Sequence, residues 1–305
     1  MDKAGFEPQP GEAVSLAPGL RRVLAPNPGP MTHRGTNTYL VGTEGVAVID
    51  PGPDDPAHLA AILAAVAQGQ RITHILVTHA HRDHSPLARR LSAATGAPVL
   101  AFGDAAAGQS AAMRALVAEG MTGGGEGVDA GFRPDVLLTD GEVVTGDGWQ
   151  IRALWTPGHM GNHLTYLWGA EAFTGDLVMG WATSLISPPD GDLTDFLASC
   201  ARLRDLAPGR FWPGHGDAVD NPLARIDALV AHRHGREAQL LAALAAGPMR
   251  PDELARAVYA DTPAALLPAA TRSVLAHLID LTGRGRVTAD PAPGPEAVFA
   301  LSAGN

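Results

Sequence analysis

Three imidazoles and a carboxylate fall within six residues, His79-Ala80-His81-Arg82-Asp83-His84, directly after the apolar run Ile75-Leu76-Val77-Thr78. Neutral imidazole nitrogens and carboxylate oxygens are ordinary zinc ligands. A strand that hands over to a loop rich in such groups is how open α/β sheets build sites at strand ends. Four candidate ligands exceed what one tetrahedral ion with an open position requires, so the cluster predicts a second metal. Further ligands are then expected at later strand ends. His159 follows Trp155-Thr156-Pro157-Gly158, Asp176 follows Phe173-Thr174-Gly175, and His215 follows Phe211-Trp212-Pro213-Gly214. Each is an apolar strand, a glycine that permits a sharp turn, and one ligand-type side chain.

The surrounding chain reads as mixed α/β layers. Asn37–Val41 and Val46–Ile49 suggest a hairpin that ends at Asp50-Pro51-Gly52-Pro53, and strands are expected near Ile72–Thr78 and Pro98–Phe102. More follow at Glu142–Val144, Trp149–Trp155, Leu164–Trp168, Ala172–Phe173 and Arg210–Trp212. Helical patterns cover Ala57–Ala67, Pro86–Thr95, Leu193–Leu206 and Leu223–Ala246. The span from Gly103 to Pro134, with Gly123-Gly124-Gly125, reads as a surface insertion with helical character at Ala111–Glu119. After residue 240 the order changes: two helices (Pro251–Tyr259 and Pro268–Leu281) and two short β segments (Arg286–Thr288 and Ala297–Leu301) outline a winged helix. The expected division is 1–240 for a catalytic domain and 241–305 for the winged-helix unit.

Composition narrows the function. Lys+Arg number 22 against 32 Asp+Glu, a net charge of -10, and the only lysine is Lys3. No global basic field exists to hold a polyanion. The C-terminal unit carries five Arg against six Asp or Glu, which suits packing better than DNA recognition. The single cysteine, Cys200, excludes a disulfide framework and a Cys-built zinc site, and reads as a core residue. No secretory pattern is visible at the N-terminus, and no stretch approaches the roughly 20 apolar residues of a membrane span, so a cytoplasmic location is expected.

His79-x-His81-x-Asp83-His84 followed by His159, Asp176 and His215, in that order, resembles the metallo-β-lactamase superfamily over roughly residues 15 to 235. The resemblance implies a four-layer αββα sandwich with the site at one edge between two sheets. It implies one metal on His79, His81 and His159, a second on Asp83, His84 and His215, and Asp176 bridging them. Zinc suits this donor set best, with iron and manganese also compatible. Arg34-Gly35-Thr36-Asn37-Thr38-Tyr39, Ser187-Pro188-Pro189-Asp190-Gly191-Asp192 and the His232-Arg233 helix leading into a winged helix resemble the lactamase-β-like protein 2 branch.

In such a site two divalent ions about 3.5–4 Å apart bring a shared water to a pKa near 7. Asp83 then both ligates and orients the nucleophile. Asp50 is a candidate to hydrogen-bond a ligand loop, or else a turn cap. His163 is a candidate to contact substrate or protonate the leaving group, with a structural hydrogen bond as the alternative, and Asn37 carries the same ambiguity. Lactam cleavage is disfavoured, because the lactam-cleaving members generally lack the bridging aspartate that Asp176 supplies. Hydrolysis of a small ester or thioester is the first reading. Cleavage of single-stranded RNA is the alternative, and a metal-sensing DNA-binding regulator a distant third. The oligomeric state is open.

Overall fold

The computed structural model describes residues 6–122 and 127–303; the expected glycine run 123–125 lies outside them. The first sheet has seven strands in sequence order: β1 (Ala13–Ala17), β2 (Leu20–Leu24), β3 (Asn37–Val41), β4 (Gly45–Ile49), β5 (Arg71–Leu76), β6 (Val99–Ala101) and β7 (Val136–Leu137). Pairing is antiparallel from β1 to β4 and parallel from β4 to β7. The parallel steps need crossovers, and α1 (Pro56–Ala64) and α2 (Leu87–Thr95) supply the first two. Asp55 caps α1 by accepting from the His58 amide, with Pro56 opening the first turn.

The second sheet has five strands, β8 (Val143–Gly146), β9 (Trp149–Trp155), β10 (Leu164–Trp168), β11 (Glu171–Gly175) and β12 (Arg210–Pro213), in spatial order β12-β11-β10-β9-β8. α4 (Leu193–Leu206), capped by Asp192, crosses from β11 to its parallel neighbour β12. β9 alternates buried and exposed residues from Trp149 to Ala153, as a strand with one face on the core must, and is buried on both faces at Leu154, which packs in the α4 layer. Tyr39, Ile49, Leu76, Ile151, Tyr166 and Phe173 join the two sheets face to face. Ile62, Leu87 and Leu91 of α1 and α2 cover the outer face of the first sheet, and Phe196, Cys200 and Leu203 of α4 cover the second. The layers are therefore αββα, as the resemblance implies, and Cys200 is a core residue.

α5 (Pro222–Leu244) continues through residues 240 and 241 without a break, so the expected division falls inside a helix. Ile226 and Leu229 pack under the second sheet, while Leu240 and Leu244 belong to the C-terminal core. That core is completed by α6 (Pro251–Val258), α7 (Leu267–Gly283), β13 (Val287–Asp290) and β14 (Val298–Leu301), the outline of a winged helix. Two expectations need correction. The 103–134 span is more than surface: its helix α3 (Ala111–Ala118) inserts Met113 and Leu116 into the C-terminal core. One stretch does reach the length and hydropathy of a membrane span, Ala264–Gly283. It contains α7, ten of whose residues are buried as the centre of the winged helix.

His277 of α7 is 1% exposed, and neither ring nitrogen has a hydrogen-bond partner among the described residues. Burial, and then the nearby Arg233, the His232 ring, Arg284 and Arg236, push its imidazole down to about 3. Below its ordinary value of 6.5 the unfolded chain takes up a proton that the folded chain refuses. The contribution is thus complete above pH 6.5 and is lost as pH falls toward 3. By pH 4 the cost should reach about 3 kcal/mol. The melting temperature of the wild type is expected to drop more steeply between pH 6.5 and 4 than that of His277→Leu; parallel curves would contradict this.

Candidate metal centre

Seven side chains from four strand ends converge at the edge between the sheets. β5 leads through Val77 and Thr78 into the loop that carries His79, His81, Asp83 and His84. His159 lies on the turn after β9, Asp176 directly after β11, and His215 on the turn after β12. They form two groups, His79–His81–His159 and Asp83–His84–Asp176–His215, each with ligand atoms within 4.8 Å of one another.

In the first group, His79 Nε2 and His159 Nε2 stand 3.0 and 3.1 Å from His81 Nδ1. Other groups fix two of these rings from behind. His159 Nδ1 donates to the Leu185 carbonyl at 2.8 Å. The Thr78 hydroxyl donates to Asp50 Oδ2 at 2.7 Å and so accepts from His79 Nδ1 at 2.9 Å. A carbonyl can only accept, so the hydrogen sits on His159 Nδ1 and the Nε2 lone pair faces the centre. Burial, and then the neighbouring imidazoles, hold His79 well below its ordinary value and His81 at about 3. Three imidazoles converging on one point are a cation-binding arrangement.

The second group balances charge instead. His215 Nε2 is 3.0 Å from Asp83 Oδ2 and 3.4 Å from Asp176 Oδ2, and His84 Nε2 is 3.5 Å from each carboxylate. Burial alone would lower His215, but Asp176 and Asp83 outweigh it and lift the ring to about 9. His84 is raised for the same reason, with Asp50 adding to the two carboxylates. Burial likewise opposes ionisation of Asp83 and Asp176, and the two imidazoles overcome it and hold both acids below the carboxylate range. His84 Nδ1 donates to Asp50 Oδ2 at 2.9 Å, and His215 Nδ1 to the Gly35 carbonyl at 3.1 Å. Asp176 lies 3.8 Å from His159 as well, so its carboxylate faces both groups, and its Oδ1 is buried with no hydrogen-bond partner. An orphaned buried carboxylate oxygen beside converging imidazoles fits a pair of divalent cations.

The supporting residues divide clearly. Asp50, at φ +50°, accepts from both the amide and the hydroxyl of Thr78 at 2.7 Å and from His84, so it braces ligands of both groups. Asn37 is a positioning residue: its Nδ2 donates to the carbonyls of Pro213 and Gly216, on either side of His215. Tyr39 donates to the same Pro213 carbonyl. His163 is fully buried behind His79, with ring centroids 5.2 Å apart, and its Nδ1 is 3.1 Å from the Thr156 hydroxyl. It is absent from the walls of the cavity above the ligands, so it stands behind a ligand rather than beside a substrate. Two partners carried no signal in the sequence, the Leu185 carbonyl and Arg225 of α5, while Gly35 and Arg233 stood in motifs that assigned them no role. Arg225 donates to the carbonyls of Met179 and Ala182, and Arg233 to that of Ser184, gripping the loop that ends at Leu185.

Gly214 allows the closest approach. A Cβ there would lie 2.5 Å from Asp176 Oδ1 and 2.6 Å from His84 Cε1. Gly214→Ala is expected to push both ligands out of place, at about 1–3 kcal/mol of strain, and to lower metal content measured by elemental analysis. Full metal loading would show that the ligands can yield.

The cavity above the ligands, about 130 Å³, is lined by His81, Asp83, His159 and Asp176, and by Pro30, Met31, Met179, Trp181 and Leu185 among others. Among the described residues, no lysine or arginine lines it.

Comparison with known proteins agrees with this geometry. The metallo-beta-lactamase superfamily pattern matches residues 31–215, and that of the beta-lactamase associated winged helix domain matches residues 251–293. The chain is 31% identical over 284 residues to the beta-lactamase-like protein 2 homolog of Drosophila melanogaster, covering 89% of this chain and 90% of that protein. It is 29% identical over 241 residues to a protein of Aspergillus fumigatus named atrochrysone carboxyl ACP thioesterase, covering 76% of this chain and 67% of the relative. Among solved structures, a metallo-beta-lactamase family protein from Thermus thermophilus superposes with a TM-score of 0.75 at 26% identity, over 94% of this chain and all of that one. With that pattern spanning most of the sandwich and the ligand groups in place at its edge, the chain belongs to the metallo-β-lactamase superfamily and carries that family's associated winged helix.

Proposed function

We propose that the protein is a dinuclear metallohydrolase, with zinc as its ions, that cleaves a small acyl ester or thioester. The observation that carries this reading is the pairing of two candidate ligand groups, with Asp176 facing both, and a cavity whose remaining described walls are apolar apart from Thr183 and free of lysine and arginine. A phosphodiester backbone needs cations along its path, and neither this cavity nor the net charge of -10 supplies them. The relative named as a thioesterase supports the same class.

His79, His81 and His159 would hold one ion, and Asp83, His84 and His215 the other, with Asp176 between. When bound, the pair would supply hydroxide near neutral pH and polarise the substrate carbonyl. The chain's own contribution is placement. Asp50, Gly35 and Leu185 fix ring orientations, and Asp83, the partly open member of the set, is the group able to accept a proton from the attacking water. Met31, Met179, Trp181 and Leu185 keep bulk water from the acyl group. The water oxygen bonds to the carbonyl carbon, the C–S or C–O bond breaks, and a proton leaves with the thiol or alcohol.

Metal-loaded protein should release thiol from acyl N-acetylcysteamine thioesters, and Asp83→Ala prepared identically should not. Cleavage of labelled single-stranded RNA by the wild type alone, without thiol release, would replace this reading with that of a ribonuclease.

A further inference from the structure

The cavity at the ligands is too small for a whole substrate. Its 130 Å³ is the space of a few water molecules, at about 30 Å³ each, whereas ligand sites run from about 300 Å³ upward. A second cavity, of about 270 Å³, adjoins it. Both are built from the same two chain segments. Pro30 and Met31 face the ligand cavity while His33 faces the second; Met179 and Ala182 face the first while Gly180 faces the second. Trp181 lines both. Its indole lies over Gly216, the residue after the ligand His215, where a Cβ would come within 2.7 Å of Cδ1. His33 sits 4.9 Å from the indole, ring to ring, and Phe6 stacks on His33 at 5.8 Å. One aromatic side chain thus separates the two spaces.

Phe6, Trp181, Ala218 and Val219 give the second cavity apolar walls, while half-buried Asp217 and exposed Asp220 and Asn221 are polar members of its lining. Arg225 also lines it, but its guanidinium is committed to the Met179 and Ala182 carbonyls, so it offers its aliphatic stem. The Trp181 indole N–H is buried and has no hydrogen-bond partner, a donor that an acceptor at the junction of a ligand's head and tail can satisfy. Gly180 keeps the space open: a Cβ there would meet Val219 Cγ2 at 3.3 Å, so a side chain at 180 grows toward Val219.

We propose that the cavity lined by Phe6, His33, Gly180, Trp181 and Val219 is the acyl-chain subsite of this centre, taking the apolar tail of a medium-chain acyl compound whose carbonyl lies beside Asp83 and Asp176. The hydrolytic part of that statement rests on the reading given under Proposed function; the tail-binding part does not.

Two measurements separate them. The first is the ratio of kcat/KM for octanoyl over acetyl N-acetylcysteamine thioester with metal-loaded protein; the second is octanoate binding by calorimetry, which needs no turnover. Gly180→Leu is expected to lower the ratio about tenfold or more, chiefly through the KM for the octanoyl substrate, and to weaken octanoate binding by a similar factor. Gly180→Ala should shift both in the same direction by less, which keeps the test readable if the leucine variant misfolds. An unchanged ratio with unchanged octanoate binding overturns the subsite. Loss of octanoate binding in Gly180→Leu without turnover of either thioester upholds the cavity as an acyl-chain site and overturns the hydrolase reading.

Discussion

Asp176→Ala is expected to lose hydrolytic activity and metal together while the sandwich stays folded. The carboxylate reaches His84, His215 and His159 within 3.8 Å, so among the described residues of the two groups it is the carboxylate that faces histidines of both. Without it, His79, His81 and His159 remain with no carboxylate facing them, and the second group keeps Asp83 as its only carboxylate. Loss of a residue that merely orients a ligand costs about 10–100-fold in metal affinity or activity, and loss of a shared ligand should exceed that range. The fold should survive at some cost in melting temperature: Asp176 contributes no apolar surface to the cores, and although truncation removes one carboxylate partner of His84 and His215, Asp83 still stands beside both rings. Metal per chain by elemental analysis, thiol release and thermal melting together check this. Two metals per chain and wild-type turnover in the variant would remove Asp176 from the bridging role.

The seven candidate ligands could be picked out of the sequence because each is announced locally. Four sit in one six-residue run, and His159, Asp176 and His215 each follow a strand and a glycine. Strands such as β9 and β10 and the helix α4 were legible for the same reason, since an apolar stretch with clear ends needs no partner to be recognised. The residues that orient the ligands were largely silent, because they act through backbone carbonyls. Gly35 and Leu185 hold His215 and His159 with groups that every residue possesses. β1 and β2 were missed because Leu20-Arg-Arg-Val-Leu places two arginines in a short strand. Only in the fold does Arg21 reach the Ala65 carbonyl and Gln70, while Arg22 lies under the Phe6 ring. α3 was read as surface because Met113 and Leu116 meet Leu254 and Leu278 only after a long chain reversal. His163 carried two readings, contact with substrate or a structural hydrogen bond, and its place behind His79 with Nδ1 at the Thr156 hydroxyl accords with the second.

Arg233→Met is expected to separate activity from stability, which ties the C-terminal unit to the metal centre. Arg233 is 3% exposed on α5 and pairs with no carboxylate among the described residues; its guanidinium donates to the Ser184 carbonyl and lies 5.4 Å from the Phe196 ring. A buried cation without a counter-ion is costly, so an apolar side chain of similar length recovers much of what the lost hydrogen bond removes, about 1–3 kcal/mol. The melting temperature should therefore move by only a few degrees. The next carbonyl along, that of Leu185, accepts from His159 Nδ1 at 2.8 Å. Freed at Ser184, the loop no longer holds that carbonyl in place, and His159 loses its fixed orientation. Metal affinity at the three-histidine group and turnover are expected to fall about 10–100-fold, with Arg233→Lys restoring part of both. The same loop is held at Met179 and Ala182 by Arg225, two turns earlier on α5, so the loop should loosen rather than detach. Because α5 continues into the core of the winged helix through Leu240 and Leu244, the C-terminal unit anchors the helix that positions a metal ligand. Unchanged metal affinity in a stable Arg233→Met protein would break that link and leave the winged helix without a part in the chemistry.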